Sequence, residues 1–286
     1  MQPVSILLKP FAKRFIGGET LEEALQTLHQ LHHRGFLTTL DFLGESNQNR
    51  AEAEKAAEEY IANLKTLKKE GLDRNISIKL TQIGLEMDEN FAKENFTKIA
   101  AAAKATNGFV RVDMEGSPYT EQTLKLTAEV HKNYPHVGVV LQSMLRRTPE
   151  DALCMLKEGI RVRLVKGAYK EPPSIAYPDK KETDRQYVMV MKRLLISGIY
   201  HAIATHDEKI IKEAIEFVKK EGIAKDSFEF QMLLGIRNKF AKKLLQEGYR
   251  LRIYVPYGKS WLPYMTRRLR ERKENIWFVI KNIFRG

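Results

Sequence analysis

Residues 36–80 read FLTTLDFLGESNQNRAEAEKAAEEYIANLKTLKKEGLDRNISIKL and contain a strand pattern, a helix pattern and a second strand pattern in succession. The runs FLTTLDF and NISIKL are short and rich in apolar and β-branched residues, as buried strands are. Between them, residues 47–70 are amphipathic and end at Gly71, a residue suited to the left-handed position after a helix. The segment therefore predicts a βαβ unit with parallel strands.

The same alternation continues along the chain, with amphipathic stretches that include residues 88–105, 118–133, 183–196, 207–221 and 236–247. The six further strand patterns are GFVRVDM (108–114), VGVVLQ (137–142), RVRLVK (161–166), HAIATH (201–206), SFEFQM (227–232) and LRIYVP (251–256). Eight such units in 286 residues predict an α/β fold, a (β/α)8 barrel of the TIM type, rather than an open sheet.

The composition indicates one domain, because 43% of the residues are hydrophobic and no Gly/Ser-rich or Pro-rich linker occurs. We expect a single catalytic barrel domain over residues 1–286. It would comprise an N-terminal helical segment (1–35), the barrel (36–273) and a C-terminal helix (274–286). The lone cysteine, Cys154, lies in a helical run and is predicted to be part of the core. One cysteine excludes an internal disulfide and fits a reducing compartment.

The formal net charge of +12 favours an anionic partner, which could be nucleic acid, anionic lipid or a phosphorylated ligand. No zinc-finger spacing, aromatic RNP-like strand or basic block occurs, so a nucleic-acid partner is not expected. The apolar stretch from Val4 to Leu8 is too short for a signal peptide or a membrane span. We therefore expect a soluble, cytoplasmic protein.

Polar residues follow or end each predicted strand. In a (β/α)8 barrel the carboxyl ends of the strands meet at one mouth, where active sites lie. Any one of these residues could equally be a solvated loop residue, but their coincidence at all eight strands indicates an active site. They are Asp41, Glu45, Lys79, Asp113, Gln142, Arg163, Lys166, Thr205, His206, Gln231 and Tyr254.

Residues 254–272, YVPYGKSWLPYMTRRLRER, predict a strand that ends at Tyr254, then a turn and a helix. At helical spacing this helix has a polar face and a neighbouring apolar one. The polar face consists of Tyr264, Arg267, Arg268 and Glu271, and the apolar face of Trp261, Met265 and Leu269. Two adjacent guanidinium groups match a carboxylate or a phosphate. We interpret the polar face as an anion clamp at the barrel mouth, and a solvated charged face is the alternative.

The chain contains no G-x-G-x-x-G after the first strand, no Walker loop, no H-E-x-x-H and no G-x-S-x-G. His29 and His33 share a helix face but lack a third ligand, so no metal site is expected. A site rich in Arg and Lys suits an anionic cofactor and an anionic substrate. A Schiff-base aldolase is the mechanistic alternative, because Lys79 and Lys166 both end strands. The third interpretation is a basic binding protein without catalytic activity.

Five motifs in chain order resemble the proline dehydrogenase family. They are LVKGAY (164–169), ATHD (204–207), FEFQMLLG (228–235), RIYVPYG (252–258) and YMTRRLRER (264–272). The resemblance spans residues 36–273 and implies a distorted (β/α)8 barrel that holds FAD non-covalently. It also implies oxidation of L-proline to 1-pyrroline-5-carboxylate, the first step of proline degradation to glutamate, with electrons passed to a membrane quinone.

The resemblance also implies roles for individual residues. Arg267 and Arg268 match the pair that binds the proline carboxylate, and Lys79 matches a third cationic contact. Tyr254 and Leu233 match residues that contact the substrate ring. The two residues with implied catalytic roles are Asp113, which would orient partners, and Arg163, which matches an arginine beside the flavin N5 edge. The implied FAD contacts are Met114, Gln142, Arg163, Lys166, Gly167, Ala168, Thr205, His206 and Glu271.

Glu45 matches a glutamate that pairs with the second clamp arginine. Because the first and eighth strands adjoin in a closed barrel, we predict a gate in which Glu45 and Arg268 close over proline. Lys170 stands where bifunctional relatives carry an aromatic residue. The loop at 171–184 is interpreted as a surface excursion, with a lid as the alternative.

The end of the chain carries two further expectations. The sequence ends at Gly286, which leaves no room for the aldehyde dehydrogenase domain of bifunctional relatives, so a separate aldehyde dehydrogenase is expected to act on the product. The segment NIWFVIKNIFRG (275–286) is expected to pack on the barrel. Peripheral contact with the inner face of a quinone-bearing membrane is the alternative.

Overall fold

The structure, a computed structural model, describes residues 14–264 and 266, which form a closed barrel of eight parallel strands in the order β1 to β8. This confirms the predicted (β/α)8 fold. The strands are β1 (Leu37–Phe42), β2 (Asn75–Ile78), β3 (Phe109–Val112), β4 (Val137–Gln142), β5 (Arg161–Val165), β6 (Ala202–Ala204), β7 (Glu229–Leu233) and β8 (Leu251–Tyr257). Arg267, Arg268, Glu271 and the predicted C-terminal helix (274–286) lie outside the described residues.

Helices alternate with the strands. They are α1 (Leu21–His33), α2 (Arg50–Lys69), α3 (Glu89–Thr106), α4 (Thr120–His131), α5 (Thr148–Lys157), α6 (Lys180–Leu195), α7 (Glu208–Lys220) and α8 (Asn238–Gln246). Two short 3-10 helices follow β2 and β3, at Thr81–Ile83 and Ser117–Tyr119. No helix in the described part of the chain combines the length and the apolar character needed to cross a bilayer.

The barrel closes through β1 and β8, whose register runs from Leu37 opposite Arg252 to Phe42 opposite Tyr257. The expectation that the last strand ends at Tyr254 is therefore wrong by three residues. Pro256 lies beyond the last pair between β8 and β7, and its carbonyl accepts the N–H of Gly17 at 2.7 Å. Since proline cannot donate a ladder hydrogen bond, it is tolerated where a strand extends past one neighbour.

The strands separate an apolar outer layer from a polar barrel interior. On β2, Ile76 and Ile78 belong to the main hydrophobic core, whereas the hydroxyl of Ser77 lies 3.3 Å from the hydroxyl of Thr39 on the adjacent strand β1. Alternation along a strand sends successive side chains to opposite faces, which explains this division. Branched apolar residues usually fill such an interior. Here buried polar side chains continue upward to the mouth, where they build the site described below.

A smaller hydrophobic cluster lies apart from the main core and joins three segments of the chain. It contains Ile16, Leu43, Trp261 and Tyr264, each buried. The burial of Trp261 agrees with its predicted apolar face. Tyr264 belongs to the predicted polar face yet is only 4% exposed, because residues 261–264 are helical and pack against Ile16 and Leu43.

The prediction that Cys154 lies in the core is wrong, because this side chain is exposed on α5. Ala152 and Met155 are the buried apolar residues of that helix. An apolar run within a helix does not show which of its residues face the core. A residue next to the buried face can still point to solvent.

Candidate active site

The carboxyl ends of the strands surround a cleft of about 1130 Å³. This cleft is lined by every described residue to which the family resemblance gives a substrate, catalytic or cofactor role. They are Lys79, Asp113, Met114, Gln142, Arg163, Lys166, Gly167, Ala168, Thr205, His206, Leu233 and Tyr254. Pockets for small molecules typically measure about 300–1,000 Å³, so this cleft is large enough for a cofactor beside a small substrate.

Asp113 is the centre of a cluster of five polar side chains, Asp41, Lys79, Asp113, Arg163 and Tyr254, which we call the Asp113 cluster. Its Oδ1 accepts a hydrogen bond from Nη1 of Arg163 at 2.9 Å, and its Oδ2 accepts one from the hydroxyl of Tyr254 at 2.9 Å. The Nζ of Lys79 lies 3.6 Å from the same Oδ2 and donates to Oδ1 of Asp41 at 2.8 Å. Two carboxylates thus balance two cations in a water-poor environment.

Lys79 is almost fully buried, and burial by itself lowers the pKa of a lysine. The neighbouring carboxylates of Asp41 and Asp113 outweigh that effect and raise the pKa of Lys79 well above its ordinary value. The amine is therefore protonated at neutral pH. A Schiff base needs a neutral amine as nucleophile, so the geometry disfavours Lys79 in the aldolase alternative and favours it as a fixed positive charge.

Arg163 is held from three sides. Its Nη1 donates to Asp113, its Nη2 donates to the hydroxyl of Ser77 at 3.0 Å, and its Cζ lies 5.3 Å from the ring centroid of Tyr254. Such cation–π contacts and charge-assisted hydrogen bonds restrict a planar guanidinium group strongly. The side chain therefore presents a fixed positive charge at the floor of the cleft.

The opposite wall is built from the chain after β4 and β5. Gln142 donates from Nε2 to the carbonyl of Glu115 at 2.8 Å, and its Oε1 accepts the N–H of Ala168 at 3.4 Å. At Gly167 φ is +122°, and a Cβ there would overlap the side chain of Met144. Only glycine adopts this backbone without strain. The backbone at Gly167 is therefore packed against Met144 and takes part in this wall of the cleft.

If FAD binds in this cleft, as the resemblance implies, replacement of Gly167 by alanine is expected to reduce the flavin content of the purified protein severalfold, because the new methyl group would displace the backbone at the cleft wall. The absorbance ratio of flavin to protein measures this content. Gly71 has a similar left-handed backbone (φ +67°) with no atom within 4 Å of an added Cβ, and Gly71→Ala is the matched control. Full flavin content in Gly167→Ala would contradict the role given to this wall.

Lys166 lies in the outer part of the cleft and is already paired in the structure. Its Nζ lies 2.5 Å from Asp184 and 2.9 Å from Asp207. Burial raises the pKa of Asp207, but the hydrogen bond and charge of Lys166 outweigh it and hold this pKa at about 2. Asp207 also caps α7 by accepting the N–H of Lys209. The position of Lys166 thus depends on α6 and α7.

His206 follows β6, and its Nε2 accepts the backbone N–H of Leu233 on β7 at 2.9 Å. This bond fixes the imidazole ring against the neighbouring strand. Thr205 precedes it, and its hydroxyl accepts the N–H of Asp207 at 3.1 Å. The ATHD segment is thus ordered by its own hydrogen bonds.

Several residues that the structure brings to the site had no individual role predicted from the sequence. Tyr169 lines the cleft, and so do Gln231, noted only as a strand end, and Tyr264, noted only as part of the polar helix face. Asp41 and Ser77 hold Lys79 and Arg163. Tyr169 stands inside the LVKGAY motif, and Ser77 lies two positions before Lys79 on the same strand face, so period-two alternation could have identified it.

Glu45 is half-buried in the loop after β1 and is not one of the described residues that line the cleft. Its predicted partner Arg268 lies outside the described residues, so the gate stays a prediction. The loop expected at 171–184 is shorter in the structure, because α6 begins at Lys180. It is attached to the barrel by its backbone, because the N–H of Tyr177 bonds to the carbonyl of Met144 at 2.8 Å and Ala176 forms a bridge with Leu145.

Comparison with known proteins places this architecture in a family. The family model described as proline dehydrogenase matches residues 24–281. Proline dehydrogenase 1 of Bacillus subtilis subsp. natto is 41% identical over 274 residues, which cover 96% of this chain and 91% of that protein. Proline dehydrogenase of Deinococcus radiodurans is 39% identical over 280 residues, 96% of this chain and 90% of that protein.

A solved structure supports the same grouping. Proline utilization A (PutA) from Bdellovibrio bacteriovorus, inactivated by N-propargylglycine, superposes with a TM-score of 0.87 and 26% sequence identity. The match covers 93% of this chain and 33% of the PutA chain, so this chain spans about a third of that protein. The family model and the curated relatives together show that this chain is an oxidoreductase of the proline dehydrogenase family.

Proposed function

We propose that the chain oxidises L-proline to 1-pyrroline-5-carboxylate with non-covalently bound FAD and that the electrons pass to a quinone. The observation that carries the proposal is the Asp113 cluster at the floor of a large cleft, in a chain of the proline dehydrogenase family. Proline is small, and it presents a carboxylate, a secondary amine and an apolar ring. The carboxylate and the ring each have a complementary group in the site.

The buried ammonium group of Lys79 attracts the carboxylate, and the predicted clamp residues Arg267 and Arg268 would add two guanidinium groups. Tyr254 and Leu233 offer apolar surface to the ring within the same cleft. Charge-assisted contacts at one end of a small ligand and apolar contact along its side fix its orientation. The bound ring would thereby present one carbon toward the Gly167 wall.

Asp113 and Arg163 would act on charge and orientation. The Asp113 carboxylate holds the hydroxyl of Tyr254 and the guanidinium group of Arg163 in place through both of its oxygens. Arg163 then keeps a positive charge where negative charge is expected to develop on the acceptor, and a fixed charge in a water-poor site stabilises it strongly.

The residues present fit FAD. The Oε1 of Gln231 is buried without a hydrogen-bond partner within the described residues and lies in the lining of the cleft, where it can accept a donor from a ligand. The small residues Gly167 and Ala168 lie in the cleft lining, where their backbone can contact a planar ring, and several lysines of the same lining suit a pyrophosphate. The residues proposed to hold FAD are Met114, Gln142, Arg163, Lys166, Gly167, Ala168, Thr205, His206 and Glu271.

The chemistry that FAD supplies when bound is the acceptance of a hydride from a carbon next to an amine. The protein's own residues would bind and orient proline and exclude water from the contact. We also propose that Glu45 and Arg268 form the predicted gate and that residues 1–286 form a single catalytic domain. A separate aldehyde dehydrogenase would use the product. The charge of +12 is compatible with peripheral membrane contact, the alternative for residues 275–286.

The function is tested by adding L-proline to the purified protein under anaerobic conditions and recording the flavin spectrum. We expect yellow protein whose flavin absorbance bleaches with L-proline and recovers when a quinone is added. Borohydride trapping of a keto substrate would instead support the Schiff-base enzyme. A colourless protein, or flavin that does not respond to L-proline, would refute the proposal.

A further inference from the structure

The loop after β1 places Ser46 in a left-handed backbone conformation, with φ at +50°. A residue other than glycine adopts this region uncommonly and needs support from its surroundings. Ser46 directly follows Glu45, the residue of the predicted gate. Whatever holds Ser46 therefore also determines where Glu45 lies relative to the cleft.

The support comes from the segment after β2. The N–H of Ser46 donates to the hydroxyl of Thr81 at 3.2 Å, and its own hydroxyl donates to Oε1 of Glu86 at 2.9 Å. The N–H and the hydroxyl of Ser46 are thus bound to the same neighbouring loop. Thr81 is buried and lies two residues after Lys79. The bond from Ser46 to Thr81 therefore joins the loop after β1, which we call the Glu45 loop, to the strand end that carries the proposed substrate contact Lys79.

The loop after β3 holds these partners in turn. Glu115 accepts two hydrogen bonds from Thr81, one from the hydroxyl at 2.6 Å and one from the backbone N–H at 3.2 Å. The hydroxyl of Tyr119 donates to Glu86 at 2.5 Å. We call the five residues Ser46, Thr81, Glu86, Glu115 and Tyr119 the Ser46 network. It links the loops after β1, β2 and β3.

Glu115 connects this network to the cleft. It lies two residues after Asp113, and its carbonyl accepts the hydrogen bond from Gln142 that orders the proposed cofactor wall. Its side chain is only 4% exposed, and burial raises its pKa to about 7, while Thr81 and Lys79 act in the opposite direction. A buried carboxyl group is costly to keep for packing alone. Its two bonds to Thr81 indicate a specific task.

We propose that Thr81 and Glu115 are positioning residues, which hold the Glu45 loop in register with Lys79 and Asp113 through the Ser46 network. They act through Glu45 and Lys79 and do not touch the substrate themselves. The kinetic consequence rests on the proposed proline oxidation. The structural consequence, the order of the Glu45 loop, does not depend on the reaction.

The test compares Thr81→Val, Thr81→Ser and Glu115→Gln in the full chain. Thr81→Val removes the acceptor for the Ser46 N–H and the hydroxyl donor to Glu115, and it leaves the backbone donor to Glu115 in place. It is expected to accelerate hydrogen exchange at the Ser46 amide by about tenfold, the equivalent of one lost hydrogen bond. The KM for L-proline should rise by about tenfold, with kcat and flavin content within about twofold of wild type. Thr81→Ser keeps the hydroxyl and should restore both values.

Thr127→Val is the matched control, because Thr127 is also buried and its hydroxyl, among the described residues, bonds within α4 to the carbonyl of Thr123. It should leave exchange at Ser46 and the KM unchanged. Unchanged exchange at Ser46 in both Thr81→Val and Glu115→Gln would overturn the proposal. So would an equal acceleration in all barrel strands, which would show general destabilisation. If the protein does not oxidise proline, the exchange measurement alone still decides about the loop.

Discussion

Lys79→Met is expected to lower the free energy of unfolding by about 3–5 kcal/mol, the usual cost of removing one partner from a buried ion pair. Asp41 is fully buried, its Oδ1 accepts the hydrogen bond from Lys79, and its Oδ2 has no partner within the described residues. Without the amine, the Asp41 carboxylate would remain buried and uncompensated. Urea denaturation with an unchanged m value measures the effect.

The pH dependence of this loss has a definite sign. The pKa of Lys79 is raised above its ordinary value of 10.5, so the pair's stabilising contribution is fully present below that pH. It is lost only as the pH rises through the higher folded-state pKa. The difference between wild type and Lys79→Met should therefore be the same at pH 7 and pH 9.

Two further variants isolate the buried charge as the cause. Adding Asp41→Asn to Lys79→Met should recover more than half of the lost stability, because a neutral amide costs less to bury than a carboxylate. Proline affinity should stay low in the double variant. Lys125→Met breaks an exposed ion pair with Glu89, 2.6 Å long, and should leave the free energy of unfolding unchanged within error. Wild-type stability in Lys79→Met would contradict this account of the cluster.

Asp113→Asn is expected to lower kcat/KM for L-proline by about 100- to 1,000-fold, the range found when one preorganised group is removed from a polar active site. The amide keeps the size of Asp113 but loses its charge, and its NH2 group would face the donors of Arg163 or Tyr254. The side chain that faces the NH2 group would then turn away from its present position, and the other would keep a hydrogen bond only to an uncharged oxygen. Steady-state kinetics with L-proline give the loss, and absorbance gives the flavin content.

Flavin content in Asp113→Asn should stay near that of wild type, because the proposed cofactor wall lies after β4 and β5. Tyr254→Phe is the companion variant. It keeps the ring but removes one hydrogen bond to Asp113, and we expect a loss of about tenfold. An Asp113→Asn enzyme with unchanged kcat/KM would show that the carboxylate does not organise the site. An Asp113→Asn protein without flavin would show that Asp113 acts in cofactor binding instead.

Much of the site was predictable because its residues follow a local rule. Lys79, Asp113 and Gln142 end or follow apolar strand patterns, and parallel strands bring their carboxyl ends to one mouth. Arg163 and Tyr254 lie inside β5 and β8 rather than at their ends. The mouth to which each residue belongs could therefore be predicted from its neighbours, but the exact place along the strand could not. The clamp residues Arg267 and Arg268 were also predicted from a local rule, the spacing of residues along one helix face. They stay predictions because they lie outside the described residues.

Pairing between elements was not predictable in this way. Lys79 bonds to a carboxylate 38 residues away, and Arg163 bonds to Ser77 across 86 residues. Lys166 could be read as a free cationic contact until the positions of α6 and α7 placed Asp184 and Asp207 beside it. Each contact depends on barrel register and helix placement, which no short segment encodes.

The sequence by itself determined the eight-stranded barrel and the edge at which its polar residues lie, because alternation and strand direction are properties of neighbouring residues. Only the tertiary structure decided which carboxylate neutralises which cation, since closure of β1 against β8 sets the register across the interior. It also decided that Glu45 is held through Ser46, Thr81 and Glu115. Hydrogen bonds of about 3 Å between three separate loops form only after the barrel has closed.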